Sequence, residues 1–186
     1  MAYNRTGAIF LDRDGVINQQ KNDYVKKWQE FRFLPGSLEA LQRLAQFSCP
    51  IVVLTNQSPI GRGLVKAETI AHIHQRMGEV VSAAGGRIDR VFACPHHPDD
   101  GCSCRKPRPG LLLQAAEAFN LRLTDCYFVG DSYTDFLAAR SVGCKPIMVQ
   151  SGLQAQQLPK LLKNEADVPL VADLAAAVEW LVQNRE

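Results

Sequence analysis

Five short apolar segments, separated by amphipathic stretches, constrain the fold of this chain more than any other feature of its sequence. None of the five alternates polar with apolar residues, so each is expected to be buried on both faces, like a strand of a parallel sheet. The predicted strands are residues 8–12, 50–55, 90–94, 126–131 and 145–150.

Helical patterns lie between and after the predicted strands. The clearest places Ile70, Ile73, Met77 and Val80 at steps of three and four residues, the spacing of one buried helix face. Alternation of strands with helices predicts an α/β fold: a single doubly wound, Rossmann-like parallel sheet with helices on both faces. The polar residues 154–167 are expected to form a surface connection with room for a short helix. The predicted helices are residues 37–47, 67–84, 109–120, 132–142 and 174–182.

Length and composition narrow the class of protein. The chain has 186 residues, 46% of them hydrophobic and 22% charged, and is expected to fold as one domain over residues 1–186. A formal net charge of +2 disfavours a polyanion partner such as nucleic acid. No apolar run is long enough to span a membrane. Residues 1–6 are polar and the apolar run after them is too short for a secretory signal, so we expect a cytoplasmic protein whose cysteines are reduced or metal-bound.

Three of the predicted strands end in polar side chains, namely Asp12, Thr55 and Asp131. Ligands of doubly wound sheets bind outside the carboxyl ends of the strands, so these side chains are expected to share one site. Asp12 and Asp14 precede a glycine, and such a pair can bind a divalent cation or divide nucleophilic and acid/base roles. The same pattern also occurs in solvated turns, and Asp131 could instead cap a helix.

The order of these segments is more specific than any one of them. Strand–Asp-x-Asp, strand–Thr, an Arg-Lys pair and strand–Gly-Asp-x-x-x-Asp follow one another between about residues 8 and 151. This set resembles the four motifs of haloacid-dehalogenase-superfamily phosphatases. The resemblance implies that Asp12 attacks phosphorus and forms an aspartyl-phosphate. It also implies that Asp14 protonates the leaving oxygen and then activates water.

A phosphate monoester is an anion, so an attacking carboxylate requires neighbouring positive charge. Oxygen ligands from Asp12, the Asp14 carbonyl and Asp131 suit magnesium, which is therefore the expected catalytic cofactor. Thr55 is expected to donate a hydrogen bond to a phosphoryl oxygen, and Lys106 to place a positive charge beside it.

Three cysteines and two histidines lie within eleven positions and form a dense group of potential metal ligands. Cys94 and His96 form one i,i+2 pair, and Cys102 and Cys104 form another; extended backbone puts both members of such a pair on one side. Three thiolates and one imidazole make a tetrahedral zinc site without an open position, so the zinc is expected to be structural. The symmetry of the pairs favours His96 over His97. The alternative is a disulfide with a spare thiol.

The zinc loop, residues 94–104, narrows the resemblance. With Arg105 and Lys106 directly after it, the loop looks like that of the D-glycero-D-manno-heptose 1,7-bisphosphate phosphatases, and histidinol-phosphate phosphatase domains share a similar loop. About 40 residues separate the first two motifs, which leaves no room for a large cap domain. Substrate selection is then expected to fall to loops. The expected substrate contacts are Arg13, Lys21, Asn22, Asp23, Tyr24, Asn56, Gln57, Ser58 and Arg105.

These resemblances imply a magnesium-dependent phosphatase that removes the 7-phosphate of a heptose 1,7-bisphosphate, a small sugar bisphosphate. Arg105, Arg108 and Lys21 favour a bisphosphate over histidinol phosphate, whose ammonium group would need extra carboxylates. A phosphatase of histidinol phosphate or of another small phosphomonoester is the alternative. A further alternative is a non-catalytic zinc-binding module, for example one that binds nucleic acid, which the near-neutral charge of the chain disfavours. Ser132 stands where some family members carry lysine. We expect a monomer without nucleic-acid or membrane partners.

Overall fold

The computed structural model describes residues 7–184, so the expectation for residues 1–6 lies outside the described part of the chain. Six strands are present: β1 (Ile9–Leu11), β2 (Ile51–Asn56), β3 (Arg90–Cys94), β4 (Tyr127–Gly130), β5 (Lys145–Val149) and β6 (Leu170–Val171). They form one sheet in the order β3-β2-β1-β4-β5-β6, and all of its neighbouring strands are parallel. The predicted class of fold is therefore confirmed.

Helices connect the strands, as predicted, with bounds that differ from the expected ones by a few residues. No helix among residues 7–184 is long and apolar enough to cross a membrane. The helices are α1 (Ser37–Leu44), α2 (Ser58–Gly61), α3 (Ala67–Ala83), α4 (Gly110–Phe119), α5 (Tyr133–Ser141), α6 (Leu158–Leu161) and α7 (Leu174–Asn184).

The segment after β5 differs most from its prediction. It contains the short helix α6, but it is more than a surface connection, because Leu158 is fully buried and packs with Phe136 and Met148. Strand β6 was not predicted; its two residues are too few to show any periodicity. A small third core thus lies under this edge of the sheet.

The sheet is covered on both faces, which explains why its strands are apolar throughout. Side chains alternate along β1, so Ile9 and Leu11 pack with helices α1, α3 and α7, while Phe10 packs with α4 and α5. Both clusters consist of fully or nearly fully buried side chains. Strands β1, β2 and β4 consequently place one row of side chains in each of these two clusters.

The sheet order reverses at β1, which lies between β2 and β4. Crossover connections leave β1 and β4 towards opposite sides of such a sheet, and a crevice opens where they part. Asp12 follows β1 directly, and its amide donates to the Val129 carbonyl of β4 at 2.9 Å. Asp131 follows β4, and Thr55 lies near the end of β2. The fold therefore brings the predicted strand-end residues to one place.

Candidate active site

Four buried charged side chains meet where β1 and β4 end. Asp12 follows β1, Asp131 follows β4, and Asp135 lies in the first turn of α5. One carboxylate oxygen from each of these aspartates lies within 4.8 Å of the others. Lys106 Nζ lies 2.9 Å from Asp12 Oδ1 and 2.6 Å from Asp135 Oδ1, and it donates to the Leu54 carbonyl at 2.9 Å. The cluster therefore sets three carboxylates against one ammonium group.

Burial and crowding perturb the pKa values in this cluster. Burial raises the pKa of Asp12 to about 7; the Asp135 carboxylate adds to the shift, and Lys106 opposes it. Burial likewise raises the pKa of Asp131 well above its usual 3.8. Burial alone would lower the pKa of Lys106, but the Asp12 and Asp135 carboxylates raise it, so the ammonium stays charged. Carboxylates at this place need more positive charge than one lysine supplies.

The donor set of this cluster fits a divalent cation. Asp131 Oδ2 is buried and has no hydrogen-bond partner. Gly15 and Gly152 pack against that oxygen so closely that a Cβ at either position would collide with it. Magnesium takes oxygen ligands from one or two carboxylates and would supply both the missing charge and the missing partner. The environment of Asp12 and Asp131 therefore agrees with the expected magnesium site.

Asp14 is oriented separately from the other aspartates. Arg13 Nη2 donates to both of its carboxylate oxygens at 2.8 Å, Asn18 Nδ2 donates to Oδ1 at 2.9 Å, and Gln57 Nε2 donates to Oδ2 at 3.0 Å. Burial alone would raise the pKa of Asp14, but the Arg13 guanidinium and these hydrogen bonds hold it below its usual 3.8. The carboxylate is thus fixed in its charged form beside the cluster.

The end of β2 supplies polar groups to the same site. Thr55 is buried, and its Oγ1 accepts a hydrogen bond from Gln57 Nε2 at 2.9 Å. The Asn56 side chain and the backbone of Lys106 exchange two hydrogen bonds of 3.1 Å. Because of this reciprocal pair, the position of the Lys106 backbone depends on β2 as well as on its own loop.

These groups line a cavity of about 390 Å³, large enough for a small phosphorylated sugar. The cavity includes each predicted catalytic and magnesium-binding residue and all but one of the predicted substrate contacts. Its lining is Asp12, Arg13, Asp14, Gln20, Lys21, Asn22, Tyr24, Val25, Thr55, Asn56, Gln57, Ser58, Arg105, Lys106, Asp131, Ser132, Thr134, Asp135, Leu153 and Gln154.

Two predicted substrate contacts have other partners. Asp23 does not line the cavity; its side chain is 63% exposed and forms ion pairs with Lys21 and Lys26 at 3.4 and 3.0 Å. Arg13 borders the cavity, but its side chain is only 1% exposed and its guanidinium is bonded to Asp14. Tyr24 borders the cavity with φ = 67°, a conformation that non-glycine residues rarely adopt.

Sequence reasoning missed the part of the cavity wall that follows β5. Leu153 and Gln154 line the cavity; Gln154 begins the segment that was expected to be a surface connection, and Leu153 directly precedes it. Gln20 Oε1 accepts a hydrogen bond from the Leu153 amide at 3.0 Å, and Ser151 Oγ donates to the Gly15 carbonyl at 2.7 Å. The position just beyond β5, next to β4, was the available signal, because ligands gather at the carboxyl ends of adjacent strands.

Arg105 has a different environment from the other cations of the cavity. Lys106 is bonded to three oxygens, and Lys21 lies 3.4 Å from both Asp23 and Glu30. Arg105 Nη1 is instead buried without any hydrogen-bond partner. A buried guanidinium donor without a partner is costly, so this side chain is poised for an anion that enters the cavity.

The predicted zinc ligands converge as well. His96 Nδ1 lies 3.5 Å from Cys94 Sγ and 3.2 Å from Cys104 Sγ, and Cys102 Sγ lies 3.6 Å from the other two sulfurs. A tetrahedral ion with bonds of about 2.3 Å to sulfur separates its sulfurs by about 3.8 Å, so this group can hold a metal ion. His97 Nδ1 instead accepts the Asp99 amide at 3.2 Å and caps a turn.

Without a bound cation, this arrangement favours the neutral form of the Cys104 thiol. Burial, together with the neighbouring Cys94 and Cys102 thiols, raises the pKa of Cys104 to about 12. A bound cation would reverse this preference because coordinating thiols are deprotonated. Cys94, Cys102 and Cys104 are all free thiols, so the alternative of a disulfide within the loop is not what the structure contains.

The zinc loop is joined to the active-site end of β2. The Cys94 carbonyl accepts the Gln57 amide, and the Pro95 carbonyl accepts the Gly61 amide, both at 2.7 Å. A side chain at Gly61 would collide with the backbone of His97, which explains the glycine at this position. The loop therefore supports the Thr55–Ser58 segment, whose residues line the cavity.

Fold and site together define a hydrolase of the haloacid-dehalogenase class, with an acidic cluster and a lysine at the carboxyl ends of its parallel strands. Residues 103–177 match the model of the HAD-hydrolase-like family. Curated relatives cover nearly the whole chain. The D-glycero-β-D-manno-heptose-1,7-bisphosphate 7-phosphatase of Pseudomonas aeruginosa is 42% identical over 94% of this chain and 97% of its own length. The chain belongs to this 7-phosphatase family within the class.

Two further proteins agree with this assignment. The 7-phosphatase of Bordetella bronchiseptica is 43% identical over 94% of this chain and 97% of its own length. The crystal structure of the D,D-heptose 1,7-bisphosphate phosphatase from B. bronchiseptica, in complex with magnesium and phosphate, superposes with a TM-score of 0.88. It is 42% identical and covers 95% of this chain and 98% of that chain. The chain is thus similar to these relatives both in its sequence and in its fold.

Proposed function

We propose that this protein removes the 7-phosphate of D-glycero-D-manno-heptose 1,7-bisphosphate by way of an aspartyl-phosphate. The observation that carries the proposal is the buried Asp12–Lys106–Asp131–Asp135 cluster, with Asp14 beside it, in a cavity where Arg105 offers a donor without a partner. The names of the relatives, 42% and 43% identical over most of the chain, support the substrate.

In the first step Asp12 attacks phosphorus, and the bond between phosphorus and the sugar oxygen breaks. Lys106 and Thr55 donate to the phosphoryl oxygens, where negative charge develops. Asp12, the Asp14 carbonyl and Asp131 are the proposed magnesium ligands, and magnesium when bound neutralises charge on the phosphoryl group. The Bordetella relative was crystallised with magnesium and phosphate, which supports this cofactor.

Asp14 carries the proton in both steps. In the first it gives a proton to the leaving sugar oxygen, which departs as heptose 1-phosphate. A phosphate dianion bound beside Asp14 raises the pKa of this carboxyl and so favours the protonated form that this step needs. In the second step water attacks phosphorus, Asp14 takes the water proton, and the bond from phosphorus to Asp12 breaks. Inorganic phosphate leaves, and the Asp12 carboxylate is restored.

The charges in the cavity favour a bisphosphate over histidinol phosphate. Histidinol phosphate carries an ammonium group, for which a pocket should provide a carboxylate away from the reacting phosphate. The carboxylates that line the cavity are Asp12, Asp14, Asp131 and Asp135, all of them in or beside the cluster at the reacting phosphate. Arg105 and Lys21 are the cations at its rim and suit a second phosphate.

The proposal is tested by phosphate release with and without magnesium. We expect kcat/KM to be highest for heptose 1,7-bisphosphate when it is compared with fructose 1,6-bisphosphate and histidinol phosphate under one set of conditions. A preference for histidinol phosphate would overturn the proposed substrate. Failure to release phosphate from any of the three would overturn the proposed activity and favour a binding module.

We expect Arg105→Ala to raise KM for bisphosphates much more than for monophosphates. Arg105 lines the cavity and its buried Nη1 has no hydrogen-bond partner; a charged hydrogen bond contributes about 1.5–3 kcal/mol, or roughly 10-fold to 100-fold in KM. Arg108 provides the control, since its Nη1 already donates to the Cys102 carbonyl and it does not line the cavity. Equal effects of Arg105→Ala on both kinds of substrate would contradict a contact with the second phosphate.

A second proposal concerns zinc. Cys94, His96, Cys102 and Cys104 are proposed to bind one structural zinc ion, which would hold the loop that presents Arg105 and Lys106. We expect about one zinc per chain in protein purified without chelator, as a closed four-ligand site implies. Cys102→Ser should lose this zinc while Cys49→Ser retains it, because Cys49 lies in the main core. Equal zinc content in the two variants would contradict the proposed zinc site.

We also propose a domain organisation, a cellular location and an oligomeric state for this protein. Residues 1–186 are proposed to form one phosphatase domain, which agrees with a single sheet in residues 7–184. The free thiols of the zinc loop support the predicted cytoplasmic location, where such thiols persist. The protein is proposed to act as a monomer, since each residue of the site described above comes from one chain.

A further inference from the structure

Arg13 and His74 form a buried connection from the catalytic carboxyl group to helix α3. Arg13 Nη2 binds both oxygens of Asp14, and its Nη1 lies 3.0 Å from His74 Nε2. The two residues are 61 positions apart, and His74 is in the middle of α3. Neither residue has a part in the proposed phosphate chemistry, so this contact needs a separate explanation.

The chemistry of the contact is determined by the arginine. A guanidinium group can only donate hydrogen bonds, so the His74 Nε2 must accept and the ring must be neutral. Burial, together with the positive charge of Arg13, lowers the pKa of His74 to about 3, in agreement with a neutral ring. Arg13 Cζ also lies 5.9 Å from the centre of the Phe31 ring. The guanidinium is therefore held from several sides.

This arrangement places a rigid donor against Asp14. A planar guanidinium bonded at both ends has little freedom to move, and the Arg13 side chain is 1% exposed. Proton transfer to or from a substrate oxygen requires the carboxyl group within hydrogen-bond reach of that oxygen. An error of about 1 Å in such a position can cost about 100-fold in rate.

We propose that His74 is a positioning residue: by accepting from Arg13 it fixes the guanidinium that holds the Asp14 carboxylate in place for proton transfer. This inference rests on the proposed acid/base role of Asp14. It predicts an effect that depends on how strongly the leaving group needs a proton. Heptose is a poor leaving group and needs one, whereas p-nitrophenolate departs readily without it.

The experiment compares His74→Met, which removes the acceptor, with His74→Gln, whose amide oxygen can still accept. We expect His74→Met to lower kcat/KM for heptose 1,7-bisphosphate by about tenfold and for p-nitrophenyl phosphate by less than about twofold. His74→Gln should recover most of the rate on the heptose substrate. His72→Met, an exposed position on the same helix, is the matched control and should behave like the wild type on both substrates.

Two results would overturn the inference. Equal losses by His74→Met on both substrates would mean a merely structural role, and equal losses by the Gln and Met variants would mean that hydrogen-bond acceptance is irrelevant. The wild-type rate on heptose 1,7-bisphosphate tests the proposed substrate by itself. If that rate were negligible, glucose 6-phosphate or another alkyl phosphate that the wild type hydrolyses would replace it. Failure of the proposed substrate can therefore be distinguished from failure of the role proposed for His74.

Discussion

Asp12→Asn is expected to lower kcat by several orders of magnitude while the protein stays folded. A carboxamide is neutral and far less nucleophilic than a carboxylate, so the aspartyl-phosphate cannot form. The fold should tolerate the change because Asp12 occupies a place where charge is unfavourable: burial raises its pKa to about 7. When folding raises the pKa of an acidic group, the protein loses stability as the pH rises above the pKa that this group has in the unfolded chain. At pH 8 without magnesium, the unfolding temperature should therefore not fall.

Three measurements check this result. Phosphate release gives kcat, thermal unfolding gives stability, and mass spectrometry of acid-quenched wild-type enzyme should locate a phosphoryl group on Asp12. Asp167→Asn is the matched control; its side chain is 68% exposed and paired with Arg140 at the far edge of the protein. Wild-type-like turnover in Asp12→Asn would rule out the covalent route, whatever the substrate.

The sequence was sufficient for five of the six strands and for the strand-end residues because both depend on local patterns. Apolar runs that end in Asp12, Thr55 and Asp131 predict parallel strands, and parallel strands bring their carboxyl ends to one edge. The convergence of Cys94, His96, Cys102 and Cys104 was predictable for a similar reason, since the four lie in a short segment whose spacing limits their geometry. In both cases the information lies within a few residues of each side chain.

Features that depend on distant partners could not be predicted. Nothing near Arg13 in the sequence indicates His74, which approaches only because α3 packs on that face of the sheet. The same holds for Leu153, whose place in the cavity depends on a hydrogen bond to Gln20. The backbone around Asp23 is irregular as well, because the neighbouring Tyr24 has a positive φ. In such irregular backbone, the direction of a side chain cannot be inferred from its neighbours.

The zinc loop combines a feature that local sequence predicts with contacts that depend on distant residues. Its proposed ligands were inferred from their spacing, yet its proposed role depends on contacts that only the fold reveals. Lys106 is two residues beyond Cys104, and its backbone is held by Asn56 of β2 through two hydrogen bonds of 3.1 Å. A zinc ion would fix one side of this short segment, and β2 fixes the other. The position of Lys106 Nζ is then defined within the acidic cluster before a substrate binds.

Lys106→Met should consequently lower kcat by about 100-fold or more, the usual loss when a charge that stabilises the transition state is removed. Methionine keeps an unbranched apolar stem against Phe128, whose ring centre lies 5.3 Å from the lysine nitrogen, but it leaves Asp12 and Asp135 without their shared cation. Lys145→Met is the control. That lysine also lies over a ring, 5.1 Å from the centre of Tyr127, but at the amino end of β5, so its kcat should match the wild type. If Lys106→Met changed KM alone, Lys106 would bind the substrate without stabilising the transition state, and the proposed role would be wrong.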